Sequence, residues 1–402
     1  RWLPRVVAGV LGFYHRPPRD AHRELAAVIE LSDTFRAAVE RSVEQRRPIR
    51  IAHYVVGPGH GAKHAVLPLN DLADLTRLLG LTPDQLDWFS DTRHWNRRAS
   101  SGSLQHYRYE WRARAGRVPR LLEVPRPRLR EVQRKVLSLI LSRLAVHDAA
   151  HGFVPGRSAA TGARPHEGAK VLINLDLSTF FTRVTAGRVY GVLRQEGFPE
   201  AVAHTITGLC THSVPPRLVT AAPSGGRLDE RFVLRQALAV PHLPQGAPSS
   251  PMLANLAVRR LDRRLTGWAE AAGAVYTRYA DDLAFSGGDD LTRRAGAFIR
   301  GVRRIVEDEG HFVNARKTRV SGWSVRQSVT GIVVNEHTNV TRSEFDRLKA
   351  VLHNCVLHGP GSQNRSGHHD FRSHLLGRIA WVAMLNPARG AKLRETFDRI
   401  LW

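Results

Sequence analysis

Apolar residues recur along the chain with two different periods, and the period predicts which element each segment forms. Spacings of three and four residues predict helices at 19–47 (one or two helices), 69–79, 83–89, 126–144, 186–196, 199–211, 249–271, 291–309 and 341–402, the last interrupted by a polar loop at 359–367. Apolar runs and alternation predict strands in a hairpin at 104–124, a buried segment at 171–177, a second hairpin at 275–279 and 283–286, and at 318–323 and 328–334. Residues 213–248 are rich in Pro and Gly, and we expect short strands there.

The excess of basic over acidic residues indicates which kind of partner the chain binds. With 60 Lys and Arg against 36 Asp and Glu, the chain carries a formal net charge of +24. Because each basic side chain at a phosphate releases counterions, this surplus favours nucleic acid as the partner, with an anionic membrane surface second. A chain of 402 residues with 42% apolar content can bury a large core. A wholly disordered chain is not expected, and a small disulfide scaffold is excluded.

The cellular location is predicted from features that the sequence lacks. There is no apolar run of about eighteen residues, so we expect neither a segment that spans a bilayer nor a membrane partner. The chain has two cysteines, Cys210 and Cys355, which are too few for a disulfide framework. This favours a reducing compartment and a cytoplasmic protein. Arg1 is not an initiator Met, so the start of the natural chain and any targeting segment stay open.

Two adjacent acids, Asp281 and Asp282, lie at the predicted turn of the second hairpin. Adjacent carboxylates repel each other and lose hydration, so they favour a bound cation, although the pair alone also fits a turn that faces water. Asp176 closes the buried strand predicted at 171–177, where an acid also fits a strand-end cap. If this strand lies beside the hairpin, three carboxylates meet. Such oxygen-rich clusters suit Mg²⁺, and two ions can catalyse in-line phosphoryl transfer, the chemistry of polymerases.

Four segments resemble the motifs of one enzyme family, and they occur in the same order as in that family. Tyr279–Asp282 resembles the Tyr-x-Asp-Asp signature of reverse transcriptases, and Leu243–Pro251 resembles their nucleotide-site motif. Asp176–Phe181 resembles the motif that carries their first catalytic acid, and His151–Ser158 matches an upstream finger block typical of bacterial members. From about residue 107 to residue 402, the chain is therefore similar to a bacterial reverse transcriptase.

Two further segments resemble the retron type within this family. Val329–Gly331 stands where retron enzymes have Val-Thr-Gly, and Gly162–His166 resembles their Asn-Ala-x-x-His element with Gly in place of Asn. The resemblance implies an α+β fold with right-hand polymerase architecture, in which an antiparallel palm sheet packs on helices. The implied parts are fingers at 101–170, a palm at 171–335 with finger residues inserted around 190–240, and a helical thumb at 336–402. For the N-terminal helical region at 1–100, an extension of the fingers and a partner-binding surface stay open as alternatives.

The resemblance also implies roles for individual residues. Phe181 is expected to exclude the 2′-hydroxyl of the incoming nucleotide, and Lys317 to approach its triphosphate and protonate pyrophosphate. Two Mg²⁺ ions, or Mn²⁺ as an alternative, are expected to bind Asp176, Asp281, Asp282 and the backbone carbonyl of Leu177. The other expected contacts are to the nucleotide, by Gln245, Gly246, Arg114 and Arg120, and to RNA, by Arg157, His166, Val329, Thr330 and Gly331. Without the motifs, a core aromatic at 181 and a surface lysine at 317 are the simpler interpretations.

The function implied by the resemblance is RNA-directed DNA polymerisation in a retron. A dedicated structured noncoding RNA would be the template and supply a 2′-hydroxyl primer, dNTPs would be the substrates, and single-stranded cDNA the product. An effector protein partner and a role in defence against phage are implied as well. The alternatives are another bacterial reverse transcriptase acting in retroelement mobility or diversity generation, an RNA-dependent RNA polymerase, and an RNA-binding scaffold whose catalysis has lapsed.

Two other sequence signals carry less weight. Residues 57–63 are similar to a phosphate-binding loop, but Ala62 stands where the second Gly belongs and His64 replaces Ser or Thr. Cys355 and several histidines cluster in the tail, but their spacing fits no standard zinc site. A basic surface that faces RNA explains this cluster better than zinc does.

Overall fold

The computed structural model describes residues 2–13, 22–46, 69–92, 95–96, 102 and 104–402. The chain divides into two units, and the first, Arg1–Val55, contains helices α1 (Leu3–Phe13), α2 (His22–Leu31) and α3 (Asp33–Glu44). Helices α2 and α3 confirm the prediction for 19–47, whereas the pattern does not predict α1. The loop at 57–63 lies outside the described residues. Within the described ranges, no helix combines the length and apolar character that crossing a bilayer requires.

The second unit, Val56–Trp402, begins with two helices and a β-hairpin at predicted positions. They are α4 (Leu72–Leu79), α5 (Pro83–Ser90), β1 (Tyr107–Arg112) and β2 (Arg120–Pro125). The helix predicted at 126–144 is α-helical only as α6 (Pro127–Lys135), and it continues as a π-helical turn (Val136–Ile140) and a 3-10 turn (Leu141–Arg143). A regular α-helix turns adjacent side chains about 100° apart. The altered turns allow the adjacent Ile140 and Leu141 to be fully buried together.

The next segment contains one strand among short helices. Its elements are α7 (Ala159–Ala163), β3 (Val171–Asp176), α8 (Phe180–Arg183), α9 (Ala186–Gln195), α10 (Glu200–Cys210), α11 (Pro216–Thr220) and α12 (Leu228–Ala239). The expectation of short strands at 213–248 is therefore wrong. Pro216 begins α11, where its fixed φ favours a helix start. Leu234 and Leu238, four positions apart in α12, are buried on one side of that helix.

The strands predicted within 171–323 form a four-stranded antiparallel sheet with the strand order β4–β5–β3–β6. The added strands are β4 (Val275–Tyr279), β5 (Asp282–Gly287) and β6 (Arg319–Gly322), and the accompanying helices are α13 (Ser250–Ala257), α14 (Arg259–Ala271) and α15 (Asp289–Asp308). The helix predicted at 249–271 is thus two helices. Sheet and helices share one core, which includes Leu175, Leu261, Phe285 and Phe298.

The C-terminal segment forms a second hydrophobic core from a short hairpin and three helices. Its elements are β7 (Ser328–Val329), β8 (Ile332–Val333), α16 (Arg342–His358), α17 (Phe371–Leu385) and α18 (Pro387–Asp398). Leu352, Leu375 and Phe397, one from each helix, are buried together in this core. Antiparallel sheets and helices in separate segments of the chain confirm the predicted α+β class.

Candidate active site

The three acids singled out from the sequence lie at one edge of the central sheet. Strands β3 and β5 are antiparallel neighbours, and their register pairs Asp176 directly with Asp282. Asp281 lies in the turn that connects β4 to β5, and its carbonyl accepts a hydrogen bond of 2.9 Å from the backbone N–H of Leu177. The fold therefore brings together a strand end and a turn that are about a hundred residues apart in sequence.

The turn that carries Asp281 is held from behind by a buried ion pair. Arg278 and Asp262 are both fully buried, and the guanidinium donates two hydrogen bonds of 2.7 Å to the carboxylate. The same guanidinium donates to the side-chain oxygen of Asn255 at 2.9 Å and to the carbonyl of Ala280 at 3.1 Å. Ala280 has φ +54°, a strained conformation for a residue with a Cβ. Arg278 thus fixes the strained residue next to the acids.

A close backbone approach supports the turn from a second side. A Cβ at Gly152 would lie 2.9 Å from the backbone nitrogen of Ala280 and 3.3 Å from the ring of Tyr279, so only glycine fits. The carbonyl of Gly152 accepts a hydrogen bond of 2.8 Å from Asn255. The segment 151–158, predicted as a finger block, therefore packs directly against the turn.

The acids repel one another in this arrangement. Burial and the charge of Asp176 raise the pKa of Asp281. Burial, Asp281 and Asp176 raise the pKa of Asp282 to about 6. Asp282 is exposed at the surface, and the charges of the two neighbouring carboxylates contribute to the rise in its pKa. Lys317 contacts the carboxylate of Asp176 and offsets part of the negative charge.

The donor set at this edge fits a hard divalent cation. It consists of carboxylate oxygens, the ligands that Mg²⁺ prefers, and the raised pKa values indicate negative charge that a cation would relieve. As the side chains stand, no group of three or more His, Cys, Asp or Glu residues in the described part of the chain is arranged to hold a metal ion. The carboxylate of Asp176 forms an ion pair with the ammonium group of Lys317.

A cavity of about 520 Å³ opens beside the acids and is lined by cations. Its wall includes Asp176, Asp281 and Leu177, and the predicted phosphate contacts Arg114, Arg120 and Lys317. It also includes three cations that sequence reasoning missed, namely Arg117, Arg183 and Arg316. Burial, together with the charges of Arg120 and Arg117, lowers the pKa of Arg114. Cations that repel one another beside a cavity favour an anionic ligand.

A second cavity of about 340 Å³ contains the other predicted nucleotide contacts. Phe181, Gln245 and Gly246 line it, together with Arg130 and Arg134 of α6. The ring of Phe181 packs edge-on against the buried Phe180, with ring centroids 5.4 Å apart. The predicted nucleotide residues are therefore divided between two cavities rather than lining one.

Three of the residues expected to contact RNA are engaged inside the protein. His166 is fully buried, and its ring nitrogens lie 2.7 Å from the hydroxyls of Ser286 and Thr277, so the expectation of a direct RNA contact is corrected. The same correction applies to the side chain of Val329, which belongs to the C-terminal core. Arg157 donates to three carbonyls of residues 147–150 and to the carboxylate of Asp148, so it mainly orders that loop.

The remaining two expected RNA contacts lie at the turn between β7 and β8. Gly331 is exposed and Thr330 is partly exposed, and both have positive φ, of +87° and +49°. This turn is accessible, and its contact with RNA stays a prediction.

Some of the missed residues have a signal in the sequence. Arg117 lies between the predicted Arg114 and Arg120, and Arg316 directly precedes Lys317. Arg278 directly precedes the Tyr-x-Asp-Asp segment, and an arginine in a buried strand predicts a buried acidic partner. That the partner is Asp262 could not be predicted, because it depends on how α14 packs against β4.

Comparisons with known proteins agree with this geometry. Residues 116–334 match the family described as reverse transcriptase (RNA-dependent DNA polymerase). The Retron Mx65 reverse transcriptase of Myxococcus xanthus is 41% identical over 310 residues, covering 75% of this chain and 66% of that protein. The Retron Mx162 reverse transcriptase of the same organism is 36% identical over 336 residues, covering 80% of this chain and 65% of that protein.

The chain also has more distant similarities to a third retron enzyme and to a solved structure. The Retron Ec86 reverse transcriptase of Escherichia coli is 32% identical over 236 residues, covering 58% of this chain and 64% of that protein. The chain thus spans a little under two thirds of the length of these relatives. A solved foamy viral protease–reverse transcriptase in complex with double-stranded DNA has a TM-score of 0.37 at 12% identity, covering 70% of this chain and 37% of that chain.

The family match covers more than half of the chain and includes the acids, most of the cation-lined cavity and the segment of Gln245. It confirms the polymerase fold that the motifs imply, and the retron relatives confirm the type. The chain belongs to the reverse transcriptase family of RNA-dependent DNA polymerases and is of the bacterial retron type.

Proposed function

We propose that this chain is an active RNA-directed DNA polymerase that copies a structured noncoding RNA into single-stranded DNA. The observation that carries the proposal is the pairing of Asp176 with Asp282 across two antiparallel strands, beside Asp281 and a cation-lined cavity. An acid cluster next to cations is the arrangement that a nucleoside triphosphate requires, since its phosphates need positive charge around them. Membership in the family supports the same activity.

Members of the reverse transcriptase family generally use divalent metal ions. In this chain Asp176, Asp281, Asp282 and the carbonyl of Leu177 would hold two Mg²⁺, or Mn²⁺ as an alternative. The ions would activate the attacking hydroxyl and stabilise the leaving pyrophosphate. The raised pKa values of Asp281 and Asp282 support this assignment, because a nearby cation would stabilise their ionised forms.

The cations around the cavity would bind the triphosphate. Arg114 and Arg120 project from the ends of the hairpin loop, and Arg117 lies between them. Lys317 contacts Asp176, and a triphosphate would compete for its ammonium group. Released from Asp176, Lys317 would donate a proton to an oxygen of pyrophosphate as the phosphoanhydride bond breaks.

Phe181 would select the sugar, and Gln245 with Gly246 would form the opposite wall of the nucleotide site. An aromatic ring beneath the sugar leaves no room for a 2′-hydroxyl, which favours dNTPs. The proposal divides the chain as the motifs imply, into fingers at 101–170, a palm at 171–335 and a thumb at 336–402 after an N-terminal region at 1–100. Thr330 and Gly331, at an accessible turn, would contact the RNA.

A primer-extension assay with an Asp281→Asn variant tests the catalytic assignment. Asparagine keeps the size of the side chain and removes its charge, so Mg²⁺-dependent incorporation of dNTPs on a primed RNA should fall by about 100-fold or more. RNA binding, measured in parallel, should stay near the wild-type value. Asp289→Asn, at the exposed start of α15, is the matched control. Incorporation near the wild-type rate in Asp281→Asn would contradict the role of the acids.

The cognate RNA, the branched product and the role in phage defence with an effector protein rest on the retron type alone. Sequencing the nucleic acid that copurifies with the protein tests them together. We expect one structured noncoding RNA joined through a 2′-oxygen to single-stranded cDNA. An active enzyme that copurifies with unrelated RNAs and no attached cDNA would favour another kind of bacterial reverse transcriptase.

A further inference from the structure

A fully buried carboxylate outside the acid cluster lines neither of the two cavities. It belongs to Glu123 in β2, which has no exposed surface. Its oxygens lie 2.6 Å from Nε2 of His212 and 3.2 Å from Nε2 of His242. His212 follows α10, and His242 lies three residues before Gln245. One carboxylate therefore joins three segments of the chain.

The hydrogen-bond partners determine the charges of this cluster. Nδ1 of His242 lies 2.7 Å from the carbonyl of Val240, which can only accept, so this nitrogen donates. Nε2 donates to the ionised Glu123, so His242 carries a proton on both nitrogens. Burial favours neutral forms of both groups, but their mutual attraction outweighs it, lowering the pKa of Glu123 to about 2 and raising that of His242. Burial lowers the pKa of His212, which donates as a neutral ring.

The same residue holds the Gln245 segment by its backbone. The N–H of Glu123 donates to the carbonyl of Gln245 at 2.8 Å. At Gly246, which has φ +128°, a Cβ would lie 3.1 Å from the carbonyl oxygen of Glu123, so the two backbones are almost in contact. His242 and His212 exchange backbone hydrogen bonds of 3.0 and 3.2 Å. The segment before Gln245 is thus fixed both to β2 and to the end of α10.

Aromatic rings close the cluster off from water. The ring of Tyr107 stacks on His212 with centroids 4.0 Å apart, and its hydroxyl accepts a hydrogen bond of 3.0 Å from Gln133. Tyr109 lies on another side of His212, at 5.8 Å. In such a site the loss of one partner leaves an unpaired buried charge, so the arrangement has a narrow set of stable geometries.

The position of Glu123 connects the two halves of the nucleotide site. Arg120, three residues earlier in the same strand, lines the cation-rich cavity, whereas Gln245 lines the second cavity. We propose that Glu123, His212 and His242 form a positioning cluster that fixes Gln245 relative to Arg120 and thereby sets the affinity for the incoming nucleotide. None of the three is expected to contact the nucleotide. The inference rests on the proposed polymerase function.

Steady-state primer extension with varied dNTP concentration tests this role. In Glu123→Ala the carboxylate that binds His212 and His242 is lost, while the backbone hydrogen bond to Gln245 remains. The Gln245 segment is then held less firmly, so KM for dNTP should rise about ten-fold or more, the equivalent of one charge-assisted hydrogen bond. The kcat at saturating dNTP should stay within about three-fold, because the acids and Lys317 are unchanged. In Glu123→Gln the amide can hydrogen-bond both rings with His242 neutral, so KM should return most of the way to wild type.

A second variant keeps the test decisive if Glu123→Ala does not fold. His212→Phe keeps a ring against Tyr107 and removes only the hydrogen bond to Glu123, so its KM should rise in the same direction. Glu196→Ala is the matched control, because it removes the acidic partner of Arg259 on α14, whose ion pair lies apart from both nucleotide cavities. Its KM should equal that of the wild type. Thermal unfolding midpoints of all variants show which of them are folded.

The outcomes separate this inference from the proposed function. Wild-type protein that incorporates no dNTP would contradict the polymerase function itself. Active wild-type protein, with an unchanged KM in each folded variant of Glu123→Ala and His212→Phe, would overturn the positioning cluster alone. A fall in kcat with unchanged KM would also overturn it, since a cluster that only stabilises the fold lowers the active fraction without changing nucleotide affinity.

Discussion

A substitution of Phe181 alone tests how the enzyme would select the sugar of the incoming nucleotide. It is partly buried, packs edge-on against Phe180 and lines the cavity that contains Gln245. Replacing it with Ala or Val removes the atoms that would oppose a 2′-hydroxyl. We expect ribonucleotide incorporation, relative to dNTP incorporation, to increase by about 10- to 100-fold. Competing rNTP and dNTP extension on one primed RNA measures this ratio.

A matched control for Phe181 is available on a neighbouring helix. Phe232 on α12 is 61% exposed, so Phe232→Ala changes an aromatic surface without changing the cavity. Its sugar selectivity should equal that of the wild type. If a Phe181→Ala enzyme is active but keeps the wild-type ratio of rNTP to dNTP incorporation, Phe181 does not exclude the 2′-hydroxyl.

For individual residues, the sequence identifies charged side chains of the site more readily than it identifies the residues that bind them. Two adjacent acids at a turn and one acid at a strand end predicted a carboxylate cluster on the condition that the strand lies beside the hairpin, and the pairing of Asp176 with Asp282 meets that condition. The buried pair of Glu123 and His242 could not be predicted in this way, because 119 positions separate the two residues. The burial of His166 also depends on packing, since nothing near it in sequence shows that Ser286 and Thr277 would bind its ring.

At the scale of elements, the turn between β4 and β5 depends on one arginine. Arg278→Lys keeps the charge but cannot reproduce the four hydrogen bonds to Asp262, Asn255 and Ala280, because the three donors of an ammonium group lie on one nitrogen and those of the guanidinium are spread over three. We expect the free energy of unfolding to fall by about 3 kcal/mol, as for a buried pair that loses part of its bonding. We also expect kcat to fall, since the strained Ala280 next to the acids is no longer fixed.

Chemical denaturation and primer extension measure these two effects separately. Arg263→Lys is the control, because Arg263 follows Asp262 directly in α14 but is exposed. It should change neither the free energy of unfolding nor kcat. Wild-type kcat in a folded Arg278→Lys enzyme would show that the turn keeps its shape without the arginine.

The predicted elements were most accurate where the apolar period is long and regular. Helices at 186–196 and 199–211 and the strand at 171–177 lie at the positions of α9, α10 and β3. The pattern failed at 213–248, where we expected short strands but the chain forms α11 and α12, the first of which begins at Pro216. It also failed to show that the helix at 126–144 changes its winding, because that change depends on the core surrounding Ile140.

At the scale of the whole molecule, the net charge of +24 predicted a nucleic-acid partner, and the family match supports that class. Part of the surplus surrounds the cavity beside the acids, at Arg114, Arg117 and Arg120. Composition could not predict this location, because the same arginines could equally have lain on a solvated face. The motifs supplied the location of the acids, and the antiparallel register of β3 and β5 explains why Asp176 meets Asp282 there.

Buried neutral histidines make the stability of the whole molecule dependent on pH. Burial, with a smaller effect of His151, lowers the pKa of His166 to about 4. Burial and nearby basic groups lower the pKa of His106 to about 4 and that of His311 to about 3. Each folded-state pKa lies below the unfolded value of about 6.5. Below that pH the unfolded chain binds protons that the folded chain does not, so stability is lost as the pH falls from about 6.5 towards 4.

His166→Gln isolates one of these contributions. Glutamine can bond the hydroxyls of Ser286 and Thr277 but does not titrate, so the variant should lose about 2 kcal/mol less stability than the wild type between pH 7.5 and pH 5. Urea denaturation at the two pH values measures the difference, and His337→Gln, at an exposed histidine, should behave as the wild type. An equal loss in His166→Gln and wild type would mean that the ring is protonated inside the fold, with both hydroxyls accepting from it.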